Sequence, residues 1–184
     1  MATITQQPVT PSMSAVGAEP SLLELPEGAS ETFKKGMAVY LASDGVTVCG
    51  ANPGKILGFA ADDAHNDGTA GTHKVGVYLA LPGTIFEGNL VTSGNANGNN
   101  ASPTGATTAQ ALLGLSYGIN QDGTNFLTTV DTSDTGGGKE RVTVLAMAEQ
   151  YGVDDSYRGT LGDIGARVLF TVMAAYSQAL MLSA

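Results

Sequence analysis

The chain has 184 residues, enough for one all-β domain or two small ones, and its 25 glycines with only 14% charged residues favour turn-rich β structure over long helices. Seventeen acidic residues against eight basic ones give a formal net charge of −9, which argues against direct binding to a nucleic-acid backbone. We expect neither export nor a membrane span, because no basic start precedes an apolar run and polar residues interrupt the most apolar tract.

Residues 1–21 are predicted to form an extended N-terminal arm. The first 20 residues are rich in Thr, Ser, Gln and Pro, and this composition neither folds alone nor continues a helix. Val9, Met13 and Val16 are candidates for contact with a neighbouring subunit, because extended segments add readily to sheet edges or surface grooves. A loose end that nothing ties down is the alternative.

Residues 22–91 are predicted to form a barrel-like β module. Short β-favouring runs alternate with turn signals, in the order LLEL, MAVYLA, VTVCG, ILGFAA, HKVGVYLAL and TIFEGNLV. In HKVGVYLAL the odd-numbered residues from His73 to Leu81 share one face, which we expect to point inward. Cys49, the chain's one cysteine, is predicted to be a small buried hydrophobe, and it has no partner for an internal disulfide.

Residues 92–106, rich in Asn, Gly and Ser, are predicted to be a flexible linker and a module boundary. Residues 107–184 are then a second β-rich module. Its short helix is predicted over TTAQALLG, where Thr107 and Gln110 resemble a capping box and Gly114 ends the helix. A hairpin turning at Asp122-Gly123 follows, and the strand ARVLFTVM is apolar enough to be covered on both sides.

The chain ends in an apolar tail, AAYSQALMLSA, that is too interrupted by polar residues for a membrane anchor. Its larger side chains are candidates for contacts with a partner: Tyr176, Leu180, Met181 and Leu182. The predicted fold is therefore all-β, with mostly antiparallel short strands in a small barrel or sandwich, an extended N-terminal arm and one short helix.

The segment DDAHNDG holds the most conspicuous cluster of polar side chains. Asp63, His65 and Asp67 occupy positions one, three and five of a calcium-loop pattern, but Lys74 stands at position twelve, where that pattern needs a bidentate Glu. The segment is better interpreted as a solvated connecting loop, because Asp, Asn and Gly tolerate turn conformations.

A transition-metal site has little to build from, since the chain has two histidines and one distant cysteine. A metal bound by His65 and His73 with Asp62 or Asp67 remains an open alternative. The sequence shows no nucleophile elbow, phosphate loop or dinucleotide fingerprint. The adjacent pairs Asp62-Asp63 and Asp154-Asp155 are interpreted as turn formers, so we expect no catalytic site and no cofactor.

Three segments, ETFKKGMAVYLASDGVTVCGANPGKILGFAADD, THKVGVYLALPGTIFEGNLV and GDIGARVLFTV, resemble small capsid decoration (cement) proteins and related head proteins of tailed bacteriophages. With AQALLGLSYGI, they extend over most of residues 22–173. The resemblance implies a homo-oligomer, often a trimer, that is made in the host cytoplasm and sits on the outer capsid surface. There it bridges major capsid subunits, without direct contact with nucleic acid or membrane. The alternatives are a head-fibre base, a tail component or a host-surface glycan-binding module that uses the Asn/Gly loop.

Overall fold

The computed structural model describes residues 6–14, 19–50, 52–92, 104–122, 127–148 and 162–182. These residues form twelve strands: β1 (Thr10–Ser14), β2 (Leu22–Pro26), β3 (Ala38–Leu41), β4 (Val46–Val48), β5 (Gly58–Ala60), β6 (Lys74–Leu79), β7 (Thr84–Thr92), β8 (Thr104–Gly105), β9 (Ser116–Asp122), β10 (Leu127–Asp131), β11 (Val142–Met147) and β12 (Arg167–Val172). Short 3-10 helices lie at Gln110–Leu112, Ala174–Tyr176 and Gln178–Leu182. The all-β prediction is confirmed.

Five strands form a first barrel, in the order β2-β6-β5-β3-β4. A parallel bridge between Glu27, directly after β2, and Val46 in β4 closes it. The inward face of HKVGVYLAL is as predicted, because Val75 and Val77 are buried among the side chains that fill this barrel. Its other face is covered in part, since Gly76 and Ala80 are buried whereas Lys74 is exposed.

The second barrel has the order β7-β10-β9-β11-β12 and is closed by the antiparallel pair of β12 with β7. Strands β1 and β8 add to β7 along its length. The predicted hairpin is present as β9 and β10, whose pairing runs from Leu127 opposite Asp122 to Asp131 opposite Gly118. Asp122, at the predicted turn, is the last residue of β9, and Gly123 lies outside the described residues. Strand β12 is covered on both faces within this chain, because Leu169 on one face and Phe170 on the other are each at most 2% exposed.

The division between the sheets does not fall at the predicted linker, residues 92–106. Strand β7 belongs to the second barrel, so the chain passes from one sheet to the other between Leu79 and Thr84. The described residues of the predicted linker take part in an antiparallel strand pair, since Thr104 and Gly105 lie opposite Thr92 and Val91. The polar composition of residues 92–106 suggested a boundary there. The boundary between sheets is decided by strand pairing, which depends on distant residues and cannot be inferred from composition.

The predicted two-turn helix is a single 3-10 turn, Gln110–Leu112. Thr107 does not cap it, because this residue forms an isolated bridge with Ile164 and Ala109 takes the capping position without a side-chain hydrogen bond. Gly114 does not end the turn either, because Leu113 caps it in an extended conformation and Gly114 follows with φ at 77°.

One core cluster joins the two barrels. Phe59 of β5 reaches the second barrel, where its ring centroid lies 4.5 Å from that of Phe86 in β7 and 5.8 Å from that of Phe170 in β12. Polar bonds flank these rings: the hydroxyl of Thr128 accepts from the N–H of Ala38 at 2.8 Å, and the amide of Gln121 donates to the carbonyl of Ala38 at 3.1 Å. The barrels are therefore fixed to each other by both apolar and polar contacts.

Strands β5 and β6 approach each other closely at Gly58, which leaves no room for a side chain there. A Cβ added at Gly58 would lie 2.0 Å from the carbonyl oxygen of Tyr78, whereas one added at Gly54 would meet nothing within 4 Å. We expect Gly58→Ala to lower the free energy of unfolding by about 1–3 kcal/mol, because the added methyl group forces β5 and β6 apart. Urea denaturation measures this, with Gly54→Ala as the matched control. Equal stability of the two variants would contradict the pairing.

Candidate functional site

The two histidines lie side by side on the loop that follows β5. Their rings stack with centroids 4.2 Å apart and planes 10° from parallel. Nδ1 of His65 lies 2.7 Å from Oε2 of Glu27, and Nε2 of His73 lies 3.5 Å from Oδ2 of Asp67. Each imidazole therefore has a carboxylate of this chain as its neighbour.

Glu27 holds this loop in place through hydrogen bonds of both its side chain and its main chain. Its side chain is almost wholly buried and accepts the backbone N–H of His65 at 2.8 Å, while its carbonyl accepts from Gly71 at 2.9 Å. Its own N–H donates to the carbonyl of His73 at 3.0 Å. The loop is thus fastened at the point where the first barrel closes, which supports its interpretation as a connector.

The stacked arrangement does not make a metal site. Imidazole lone pairs lie in the ring plane, so two parallel rings 4.2 Å apart do not aim at a common ion. In the described part of the chain, no group of three or more His, Cys, Asp or Glu side chains is arranged to hold a metal.

The neighbouring aspartates have separate structural partners. Oδ2 of Asp62 accepts from the N–H of Gly76 at 3.1 Å. Asp63 accepts from the N–H of Lys35 at 2.9 Å and pairs with Nζ of Lys34 at 3.0 Å. The Lys35 N–H and then the Lys34 ammonium hold the pKa of Asp63 below its usual range. The other pair, Asp154-Asp155, lies outside the described residues.

Cys49 is buried as predicted, at 3% exposure, with its sulfur 3.6 Å from the carbonyl oxygen of Lys55. Burial raises the pKa of the thiol far above its ordinary value, which disfavours the thiolate needed for reaction.

The N-terminal arm lies on this chain's own second barrel. Strand β1 pairs antiparallel with β7, from Thr10 opposite Glu87 to Ser14 opposite Thr84. Val9, proposed from the sequence as a partner contact, is instead 3% exposed and belongs to the core that joins the barrels. The backbone of Met13 pairs with Ile85, and Val16 lies outside the described residues.

A buried arginine holds the arm in place. Nε of Arg167 pairs with Oε1 of Glu87 at 2.6 Å, and both side chains are at most 7% exposed. Nη2 of the same guanidinium donates to the carbonyl of Pro8 at 3.1 Å and to the hydroxyl of Thr10 at 3.2 Å. Arg167 therefore ties β12, β7 and the arm together across one face of the sheet.

The C-terminal tail also lies on this chain. The side-chain amide of Gln178 accepts from the N–H of Leu41 at 2.7 Å and donates to its carbonyl at 2.8 Å. The guanidinium of Arg141 lies 4.1 Å from the ring centroid of Tyr176. Leu180 is 36% exposed, and Met181 and Leu182 end the last 3-10 segment. Of the predicted tail contacts, Leu180 is the one shown at the surface.

Four further leucines, which the sequence did not single out, are exposed: Leu22 at 55%, Leu23 at 39%, Leu115 at 51% and Leu145 at 43%. A signal for the first two was present, because consecutive leucines in a strand point to opposite faces and one must leave the core. Leu145 lies where the β11–β12 register shifts between Val144 and Ala146, and Leu115 directly precedes β9, which local sequence does not show.

Strand β2 presents an open edge beside two of these leucines, because the bridge that closes the first barrel involves Glu27, after the end of β2. Within the described residues it pairs with no strand except β6. The N–H of Leu79 donates to the carbonyl of Ser21, so alternation directs the N–H and C=O groups of Leu22 and Glu24 away from β6. Such an edge can accept a further strand.

Comparisons with models of protein families, with curated proteins and with solved structures found no match for this chain. None of the helices in the described residues is long and apolar enough to cross a membrane.

The buried pair of Arg167 and Glu87 predicts a large mutational effect. Arg167→Met should lower the free energy of unfolding by about 3–5 kcal/mol, because it leaves the Glu87 carboxylate buried without its cation. The double variant Arg167→Met with Glu87→Leu should lose less. Lys34→Met, which removes an ion pair with Asp63 that is half exposed, is the control and should cost no more than about 1 kcal/mol. Similar losses for all three in chemical denaturation would refute this account.

The lowered pKa of Asp63 predicts a pH dependence. A carboxyl whose folded pKa lies below its unfolded value, about 3.9, adds stability above that value and loses it as pH falls through the folded pKa. Asp63→Asn should therefore be slightly less stable than the parent at pH 7 and equal to it once the carboxyl is protonated. The effect is small because the side chain is 55% exposed. Thermal unfolding from pH 7 to pH 2 measures the difference, and a gap independent of pH would rule it out.

Proposed function

We propose that this protein is a virion structural protein that binds the outside of a bacteriophage icosahedral capsid and stabilises it by bridging major capsid subunits. The resemblance of three sequence segments to capsid decoration proteins supports this function. The structural observation that carries it is the β2 edge, where Leu22 and Leu23 are exposed beside main-chain groups that face away from β6. Surfaces of this kind are normally covered by a partner.

The distribution of charge favours a protein partner over nucleic acid. The chain carries a formal net charge of −9. Arg141 and Arg167, two of its eight basic residues, are at most 7% exposed and are engaged in contacts inside the chain. Five acidic side chains are buried as well: Glu27, Glu87, Asp122, Asp131 and Asp134. Twelve acidic residues against six basic ones remain, and this excess of negative charge repels a phosphate backbone.

The extensive strand pairing and the fastened chain ends suit a bridging role. Both sheets close, so most of their main-chain groups are paired inside the molecule. The arm is fastened by Arg167 and the tail by Gln178. A protein that links capsid subunits must transmit force between them, and fastened ends leave few segments from which unfolding can begin.

This function predicts many copies on the head. In purified particles of the phage that encodes the chain, mass spectrometry and cryo-electron microscopy should find hundreds of copies as regular protrusions on the outer capsid surface. A handful of copies at one vertex or on the tail would contradict the proposal.

A pair of variants tests the β2 edge on particles that lack the wild-type protein. Leu22→Asp should reduce occupancy at least tenfold and lower the temperature at which heads rupture, because it places a charge in the contact. Leu115→Asp is the matched control, since Leu115 is similarly exposed, at 51%, but directly precedes β9 of the other sheet. Equal occupancy by both variants would remove β2 from the contact.

A further inference from the structure

The groove that holds the N-terminal arm has the construction of a peptide-binding site. Asn89 accepts the N–H of Gln7 at 2.7 Å through its side-chain oxygen, while its amide nitrogen donates to the carbonyl of Gly165 at 2.7 Å and so fixes the orientation of the side chain. Arg167 donates to the carbonyl of Pro8. These contacts recognise the main chain of an extended segment.

One side chain of the arm is bound in a pocket. The pocket takes Val9, and two glycines leave room for it. A Cβ added at Gly36 would lie 2.6 Å from Cβ of Pro8 and 2.8 Å from the backbone N of Val9. A Cβ added at Gly88 would lie 3.2 Å from a methyl carbon of Val9. The groove therefore selects an extended segment with a Val-sized anchor directly after two main-chain contacts, at Gln7 and Pro8.

The Arg167 site is incomplete without an arm. Two of the acceptors around its guanidinium, the carbonyl of Pro8 and the hydroxyl of Thr10, belong to the arm. Removing them would leave a buried charge with fewer partners, which is costly. An empty groove should therefore bind any available copy of the same segment.

We propose that this groove also accepts residues 6–14 of a second copy of the chain, so that neighbouring copies exchange arms. The exchanged arm would make the same contacts as the chain's own arm, which keeps the free-energy difference between the two states small. The seven residues 15–21 join β1 to β2 and span up to about 25 Å when extended. The chain's own arm has the advantage of effective concentration in dilute solution.

Crowding favours the exchanged state. This part of the inference rests on the proposed function, because copies held side by side on a capsid raise the local concentration of neighbouring arms. Arm exchange itself is a property of the purified protein and is tested without a capsid. Its failure would leave capsid binding untouched, and absence from virions would leave the exchange intact.

Two single-cysteine variants of the full-length protein test the exchange. Ser14 lies opposite Thr84 in the β1–β7 pair, so Ser14→Cys in one population and Thr84→Cys in another form a mixed disulfide only when the arm of one copy lies on β7 of the other. Native Cys49 stays unreactive because it is buried. After incubation and mild oxidation, we expect mixed dimers whose yield rises with protein concentration. The control replaces Thr84→Cys with Thr72→Cys, an exposed site away from β7, and should give at least tenfold less product.

A second measurement does not depend on cysteine geometry. A protease site placed within residues 15–18 allows the arm to be cut, and a fluorescent synthetic peptide of residues 5–14, TQQPVTPSMS, is then added in excess. The peptide should replace the cut arm with one-to-one stoichiometry by fluorescence anisotropy. A Val9→Asp peptide should bind at least 100-fold more weakly. Mixed dimers no more abundant than in the control, together with failure of the peptide to bind or equal binding by both peptides, would overturn the proposal.

Discussion

Packing of Phe59 against Phe86 and Phe170 is the contact on which the rest of the structure depends. The rings come from β5 in the first barrel and from β7 and β12 in the second, and all three are at most 1% exposed. Rotating one barrel against the other would expose this aromatic surface to water, at a cost of several kcal/mol. The two barrels therefore act as one body, and the surfaces that both contribute to are preformed.

Each chain end lies on such a preformed surface. The arm passes between Gly36, before β3, and Gly88 in β7, so its groove exists only while the barrels keep their spacing. The tail likewise joins the two, since Tyr176 lies under Arg141 of the second barrel while Gln178 bonds to Leu41 of the first. Val9, which the sequence suggested as a contact for a neighbour, is thus part of this chain's own core, whereas Leu180 of the tail lies at the surface.

Local pattern predicted the strands, and long-range pairing decided what the pattern could not show. Alternation of apolar residues placed Val75 and Val77 correctly, because each strand needs only its own residues to define a buried face. The burial of Val9 depends on glycines 27 and 79 residues further along the chain, and no local rule connects them. The helix expected at 107–114 failed for the same reason, since the bridge from Thr107 to Ile164 competes with a cap.

The β2 edge and the arm groove select different partners. If two β2 edges paired antiparallel about their centre, the Glu24 carboxylates of both copies would be opposed, and like charges at that position are destabilising. Glu24 thus discourages pairing with a second copy while Leu22 and Leu23 remain exposed for a different protein. The groove has the opposite preference, because Val9 and the arm's main chain fit it in every copy. The proposed contact with a capsid and the proposed arm exchange between copies would then use separate surfaces, so a gain in one would not require a loss in the other.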